Sequence, residues 1–463
     1  MTQVLRVAVL ALSAAVFMSC GPEEQPPMDF TGAENEVKLM MLDPGHFHAA
    51  LVQKSMYDQV DPMVYVFAPV GPDVHNYMQT IDMYNNRPVD PTSWQQEAYL
   101  GADFLEQMLS EEPGNVMITA GNNQKKTEYI EAAVSDGIHV LADKPMAINP
   151  ADFELLKDAF AAADSMDVIL YDIMTERSEI TTILQRELSK IPEVFGALVE
   201  GTEENPAVTK ESVHHFFKFV SGAPIQRPAW YFDTEQQGEG MVDVTTHLVD
   251  LIMWECFPEQ AIDYQQDVSV LGADRWATEI TREQFEKVTG MAQFPEFLQD
   301  DIQNDVLRVY ANGEINYTLR DVHARVSVIW NFQAPEGAGD THYSIMRGTR
   351  AQLEIRQGQV QGYTPELYVQ PAGDATKASL GLALKNAIED LQNQYPGLGL
   401  AQTPNGWQIE IPQEYRVGHE AHFGQVMERF LDYLVVGELP HWEVPNMLAK
   451  YYTTTTALEL ARE

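Results

Sequence analysis

Over the first third of the chain, short apolar runs alternate with stretches whose apolar positions recur at helical spacing. The runs 37–42, 63–67, 115–119, 138–142 and 168–171 predict strands. The stretches 49–57, 126–135 and 150–162 predict helices, the last opened by Asn149 as N-cap and Pro150 in the first turn. Short buried strands separated by helices imply a parallel, doubly wound sheet. Beyond about residue 172 the pattern changes. The runs 194–199, 213–220, 306–310, 314–319, 324–330, 341–346 and 351–355 predict strands without intervening helices, hence an open, mostly antiparallel sheet. Two helical stretches, 419–436 and 444–461, end the chain, and 373–412 reads as an insertion with one helix. The expected class is α/β, with a doubly wound domain over 36–172 and a C-terminal α+β domain over 173–463.

The first twenty residues stand outside this pattern. Arg6, the apolar run 7–18 and then Ser19-Cys20-Gly21 follow the charge, core and small-residue order of a secretory signal, so 1–19 is expected to direct export. The cysteine at the cleavage point resembles a bacterial lipoprotein signal, which predicts lipidation of Cys20 and anchoring at the periplasmic face or the cell surface. Residues 20–35, polar and proline-rich, read as a tether. Cys256 is the other cysteine of the chain, so an intramolecular disulfide is not expected once Cys20 carries lipid. Set among Ile252, Met253, Trp254 and Phe257, it reads as a buried, inert thiol.

Composition narrows the picture further. The 463 residues, 45% apolar and 21% charged, are those of a soluble protein of two or three domains and exclude coiled coil, collagen and a polytopic membrane protein. Acidic side chains number 69 against 29 basic ones, and the formal net charge of -40 repels phosphate backbones. No nucleic-acid partner is expected, and contact with a membrane only through the lipid anchor.

Two constellations can carry chemistry. Gly238-Glu239-Gly240 leads to Asp243 and His247, whose four-residue spacing puts a carboxylate and an imidazole on one helical face, able to converge on a substrate hydroxyl. Equally, Asp243 can serve a helix N-terminus and His247 the core. The second is Asp143-Lys144-Pro145, which places Lys144 just past the carboxyl end of a buried strand, where open α/β sheets bind ligands.

Together, strand-Asp-Lys-Pro and, about a hundred residues on, Gly-x-Gly-x-x-Asp-x-x-x-His resemble the glucose-fructose oxidoreductase, inositol dehydrogenase and rhizopine catabolism superfamily, Gfo/Idh/MocA. The similarity runs from Val37 to the C-terminus, the insertion excepted. It implies a Rossmann nucleotide-binding domain, a C-terminal open-sheet domain, NAD or NADP as cofactor and oxidation or reduction of sugar alcohols, often in dimers or tetramers built through the open sheet. By the same resemblance Lys144, Asp243 and His247 are the catalytic residues, with Asp143 in place of the usual glutamate.

The chain departs from that pattern where the cofactor would bind. The glycine-rich turn is Asp43-Pro44-Gly45-His46-Phe47-His48, with one glycine; no carboxylate follows the second strand until Asp73; and Lys126 replaces the histidine that follows Asn123. Gly45, His46, His48, Asn123, Lys126 and Lys144 are the expected cofactor contacts. Arg227, Trp230 and Tyr231 offer aromatic faces and paired donors for a sugar ring, or else pack the core. His419 and His422, three apart on a helix start, have metal-ligand spacing, and with His46, His48, His214 and His215 they make a divalent cation the alternative cofactor. The reading is therefore an exported sugar oxidoreductase acting on saccharides from polysaccharide degradation, its nicotinamide retained in the site. A metal-assisted keto-sugar lyase or hydratase and a non-catalytic saccharide-binding lipoprotein are the alternatives.

Overall fold

The computed structural model describes residues 30–220 and 223–463. The signal segment, Cys20 and most of the tether therefore lie outside the described residues. The first sheet contains β1 (Val37–Leu42), β2 (Val60–Ala68), β3 (Gln95–Leu100), β4 (Val116–Thr119), β5 (His139–Asp143) and β6 (Leu170–Ile173). Its order is β3-β2-β1-β4-β5-β6, with every neighbouring pair parallel. The order reverses between β1 and β4, and ligands of open α/β sheets bind at the carboxyl ends of the strands at such a reversal. Strands β4, β5 and β6 are buried at every position, because helices cover both faces, which is why they read as unbroken apolar runs.

The helices of this layer are α1 (His48–Leu51), α2 (Pro72–Asn86), α3 (Phe104–Glu111), α4 (Lys126–Ser135) and α5 (Pro150–Met166). Asn149 caps α5 as its sequence predicts, its side chain accepting the Asp152 N–H at 2.9 Å. The helix expected over 49–57 is the four-residue α1 instead. Tyr57 donates its hydroxyl to the Val52 carbonyl and Trp94 its indole N–H to the Gln53 carbonyl, so side chains occupy the acceptors that a continuing helix would use. Sequence patterning missed α2, β3 and α3; β3 is an edge strand with no fully buried position and so carries no apolar run.

The second sheet has ten strands, mostly antiparallel; a parallel pair joins Val208–Phe217 to Val322–Gln333. The strand expected at 194–199 does not form. Val194 and Phe195 bond back to Ile191 in a turn, and within that run only Leu198 bridges, to Gly348. The runs 306–310 and 314–319 belong to one strand, Val306–Leu319, and the strand beside it, Val268–Thr281, escaped sequence analysis. Within 373–412 the expected helix is Lys377–Leu391, and Gly399–Gln402 and Trp407–Glu410 prolong the open sheet beyond Glu366–Pro371.

The last two helices, His419–Val436 and Glu443–Arg462, return to the first domain, where Phe423, Met427, Phe430 and Tyr451 enter the core of the parallel sheet. Phe30 joins that core too, its ring 5.2 Å from His139, and the Glu36 carboxylate accepts the Thr31 N–H. The end of the expected tether is thus folded onto the domain. A buried ion network ties the two halves together. Arg177 donates twice to Asp250, at 2.7 Å each, and to both oxygens of Glu443; Lys450 reaches Asp250 at 3.1 Å and Asp172 at 2.6 Å.

Candidate active site

The carboxyl ends of β1, β4 and β5 face the start of the helix Thr245–Cys256 across a cavity of about 410 Å³. β1 ends at Leu42, so the turn after it delivers His46, and α1 opens on His48; β5 ends at Asp143, so Lys144 follows it into the cavity. The Lys144-Pro145 peptide is cis. From the other side, Gly240 lets the chain pass against the strand Val306–Leu319; a Cβ there would lie 1.7 Å from the Ala311 carbonyl oxygen. Only a glycine allows that approach, which brings Asp243 and His247 to the cavity wall.

Lys144 Nζ donates to Asp243 Oδ1 at 2.5 Å. Burial works against the lysine's charge, but the carboxylates of Asp243 and Asp143 outweigh it and hold the ammonium above its ordinary pKa. Asp243 thus pairs with Lys144, not with His247. It also precedes the helix and accepts the Thr246 hydroxyl on its carbonyl. His247 is 8% exposed, and its Nδ1 has no partner among the described residues. Burial first, then the Lys144 charge, pushes the imidazole down to about 4, so it is neutral near pH 7 and able to accept a proton.

The turn after β1 differs from a glycine-rich turn. The N–H groups of Gly45 and His46 both donate to the Ala120 carbonyl, at 3.2 and 3.1 Å, and a Cβ on Gly121 would meet the Asp43 carbonyl at 2.1 Å. The turns after β1 and β4 are therefore packed on one another. Burial, then Asp73, raises the Asp43 carboxyl to about 6. His48 Nδ1 lies 2.9 Å from Asp143 Oδ2, His46 Nδ1 lies 3.8 Å from the same oxygen, and burial holds both imidazoles neutral.

A second cavity, of about 820 Å³, runs from Gly45 along the first turn of α2, past Pro72, Asp73 and Asn76. It shares His46, Phe47, Arg227 and Tyr231 with the first, and the His46 and Tyr231 rings stack between the two with centroids 6.1 Å apart. The joined spaces follow the crevice at the strand-order reversal, with the amino end of α2 lining the second.

The other residues singled out in the sequence separate. Asn123 borders the first cavity but donates its amide to the Gln237 carbonyl at 2.7 Å, with Oδ1 unpartnered. Lys126 reaches neither cavity: it is 1% exposed and donates to the Asp143 carbonyl at 3.0 Å, a tie beneath the site, with burial pushing it down to about 8. Trp230 borders only the second cavity and donates to Asp73 at 2.7 Å, so it does not join Arg227 and Tyr231 at the first. Arg227 lies over the Tyr231 ring, 4.4 Å from its centroid, and donates to the Phe216 and His215 carbonyls. His419 and His422 both line the first cavity, but their rings are 6.5 Å apart, and the described triad of convergent ligand atoms is His46, His48 and Asp143 instead.

Sequence reasoning missed Glu176, Asp340 and His342, which also line the first cavity. Asp340 bonds His215 at 2.8 Å and Lys218 at 2.5 Å. No motif surrounds these residues; strand pairing between Val208–Phe217 and Thr341–Arg347 brings Asp340 and His342 to the cavity, and the turn Thr175–Ser178 brings Glu176. Cys256, expected to be buried, is only partly covered, and burial pushes its thiol up.

Fold and site together define an oxidoreductase with a nucleotide-binding parallel sheet and an open-sheet substrate domain. Residues 184–462 match the family described as "Putative oxidoreductase C terminal domain", and 77–171 match "Oxidoreductase family, NAD-binding Rossmann fold". The chain belongs to the Gfo/Idh/MocA family of NAD-binding oxidoreductases. A crystal structure of a "putative oxidoreductase" from Parabacteroides merdae ATCC 43184 is 56% identical, with a TM-score of 0.92, covering 94% of this chain and 99% of that one. Levoglucosan dehydrogenase, in complex with NADH and L-sorbose, shares the fold at 11% identity and a TM-score of 0.56, over 92% of this chain and 97% of its own. Comparison with curated proteins gives no match.

Proposed function

We propose that this oxidoreductase acts outside the cytoplasm on a ring hydroxyl, or the matching ketone, of saccharides from polysaccharide degradation. The observation that carries the proposal is the buried cavity in which Lys144, held by Asp243, and the neutral His247 converge. Lys144 hydrogen-bonds the reacting oxygen and stabilises negative charge developing there; His247 takes the hydroxyl proton and returns it in the reverse direction; Asp243 keeps Lys144 charged and aimed. Arg227 and Tyr231 close the cavity beside the sugar ring.

A nicotinamide bound in the crevice would supply the hydride acceptor. Gly45, His46, Asn123, Lys144 and the first turn of α2 line the joined cavities that would hold it. An exported enzyme cannot draw on the cytoplasmic nucleotide pool, so the cofactor is retained and recycled within one catalytic cycle or by an external acceptor. Export rests on the sequence of residues 1–19 and lipid anchoring on Cys20. The test is to denature the purified protein and assay the supernatant for NAD(P)(H), then to titrate the intact protein with nucleotide. No bound nucleotide and no affinity at micromolar concentration would end the redox reading. A second reading, a metal-assisted lyase or hydratase acting on a keto-sugar in the same cavity, is favoured by the His46, His48 and Asp143 cluster.

A further inference from the structure

The turn that would hold a pyrophosphate in a glycine-rich relative carries two imidazoles, and both face one carboxylate. We infer that His46, His48 and Asp143 form a binding site for one divalent transition-metal ion, set into the wall of the substrate cavity. One ligand atom from each of the three falls within 4.8 Å of the others. His48 Nδ1 and His46 Nδ1 stand 2.9 and 3.8 Å from Asp143 Oδ2. Ligands about 2.1 Å from a common ion are separated by roughly 3.0 to 3.4 Å, and both imidazole–carboxylate distances lie within a few tenths of an ångström of that range.

A second observation points the same way. Asp143 is 3% exposed, yet its Oδ1 has no hydrogen-bond partner among the described residues. An unpaired carboxylate oxygen at that depth is costly, and a cation satisfies it. The neighbouring ammonium groups are already engaged, Lys126 with the Asp143 carbonyl and Lys144 with Asp243, so neither substitutes for the ion at Oδ1. All three ligands line the first cavity, which leaves the remaining coordination positions to water or a substrate oxygen. Two imidazoles and one carboxylate suit Zn²⁺, Mn²⁺, Fe²⁺ or Co²⁺ better than Ca²⁺ or Mg²⁺. There the ion polarises a hydroxyl or carbonyl oxygen, a role compatible with either reading of the reaction.

His419 belongs to the rim of this site. Its ring is 5.7 Å from that of His48, and its Nδ1 lies 3.4 Å from Glu176. The ligand pair suggested by helical spacing, His419 and His422, is thereby replaced by one that the turn after β1 and the end of β5 assemble.

The site is tested on the whole purified protein, stripped with chelator and titrated with Co²⁺ and Zn²⁺, without nucleotide, so that the result stands apart from the redox assay. Expected are one ion per chain, micromolar or tighter affinity, and visible Co²⁺ d–d absorption. His46→Ala, His48→Gln and Asp143→Asn should each weaken binding at least tenfold, while His419→Ala and His422→Ala leave it within about twofold. Circular dichroism reports whether each variant is folded. Should a ligand variant fail to fold, X-ray absorption of the Co²⁺-loaded parent decides by counting imidazoles. No binding to the parent, affinity unchanged in the three ligand variants, loss on changing His419 or His422, or fewer than two imidazoles on the metal would each overturn the assignment.

Discussion

Two buried clusters of charge draw on the helix Thr245–Cys256 and the turn before it, and they are built on different terms. Around Arg177 the charges pair with one another: two donations to Asp250, two to Glu443, and Lys450 shared between Asp250 and Asp172, whose Oδ1 is the one carboxylate oxygen of the cluster without a partner among the described residues. No part of Arg177, Asp250 or Lys450 borders the described cavities. Around Lys144 the pairing is incomplete. Asp143 Oδ1 and His247 Nδ1 are unpartnered, and every member lines a cavity. Near-complete pairing in a closed interior fixes how the two domains meet, whereas unpaired atoms that face a cavity leave capacity for a ligand.

The sharpest way to break this comparison is to remove one cation from each cluster. Arg177→Met leaves Asp250 and Glu443 buried without their shared partner, and removing one member of such a network costs about 3–5 kcal/mol. The denaturation midpoint in urea should fall accordingly, while the residual folded protein keeps its turnover. Lys144→Met should do the reverse. It leaves Asp243 without its cation, but beside a cavity that water can enter, so stability should fall less than in Arg177→Met, while turnover should fall about 10²- to 10³-fold, the usual loss for one group acting on developing charge. If the two substitutions produce the same mixture of effects, the distinction between the clusters fails.

The sealed core was more legible in the sequence than the site. Strands β1, β4 and β5, the Asn149 cap and the helix His419–Val436 follow from apolar runs and cap chemistry, which act over a few residues. Lys144, Asp243 and His247 were found because they sit in short motifs, and all three reach one cavity. Their pairing was not legible: spacing along a helix suggested Asp243 with His247, but the turn before the helix gives Asp243 to Lys144, 99 residues away in the chain. Trp230 and Lys126 were misplaced for the same reason, since sequence proximity to a motif does not say which side of a wall a side chain takes. Asp340 and Glu176 had no signal at all, their approach being a product of sheet pairing and of a turn beside the cavity.

The buried imidazoles sharpen the comparison through pH. His139 lies in the first domain away from both cavities; its Nδ1 accepts the Ile169 N–H at 3.0 Å, and burial pushes it down to about 4. The unfolded imidazole titrates near 6.5, so between pH 6.5 and 4 the unfolded chain binds the extra proton and stability falls as pH falls; above 6.5 there is no effect. At pH 5 this one group should cost about 2 kcal/mol. His139→Gln keeps an acceptor for Ile169 without the titration, so its stability should decline less between pH 7 and pH 5 than that of the parent. Parallel declines would show that His139 is accessible to protons in the folded state.

The smallest expected effect lies on the wall between the two cavities. Trp230 donates to Asp73 at 2.7 Å on the side of the larger cavity and does not border the smaller one. Trp230→Phe keeps the ring and removes the donor, a loss of about 1 kcal/mol, or roughly fivefold in an equilibrium constant. Asp73 is then less constrained in the first turn of α2, which lines the joined cavities proposed to hold the nucleotide. Nucleotide affinity, measured by titration, should shift about fivefold, while the KM of the saccharide moves less than twofold. The opposite split would return Trp230 to the sugar, where its sequence position beside Arg227 first suggested it, and would mean that the His46 and Tyr231 wall does not divide the cleft between cofactor and substrate.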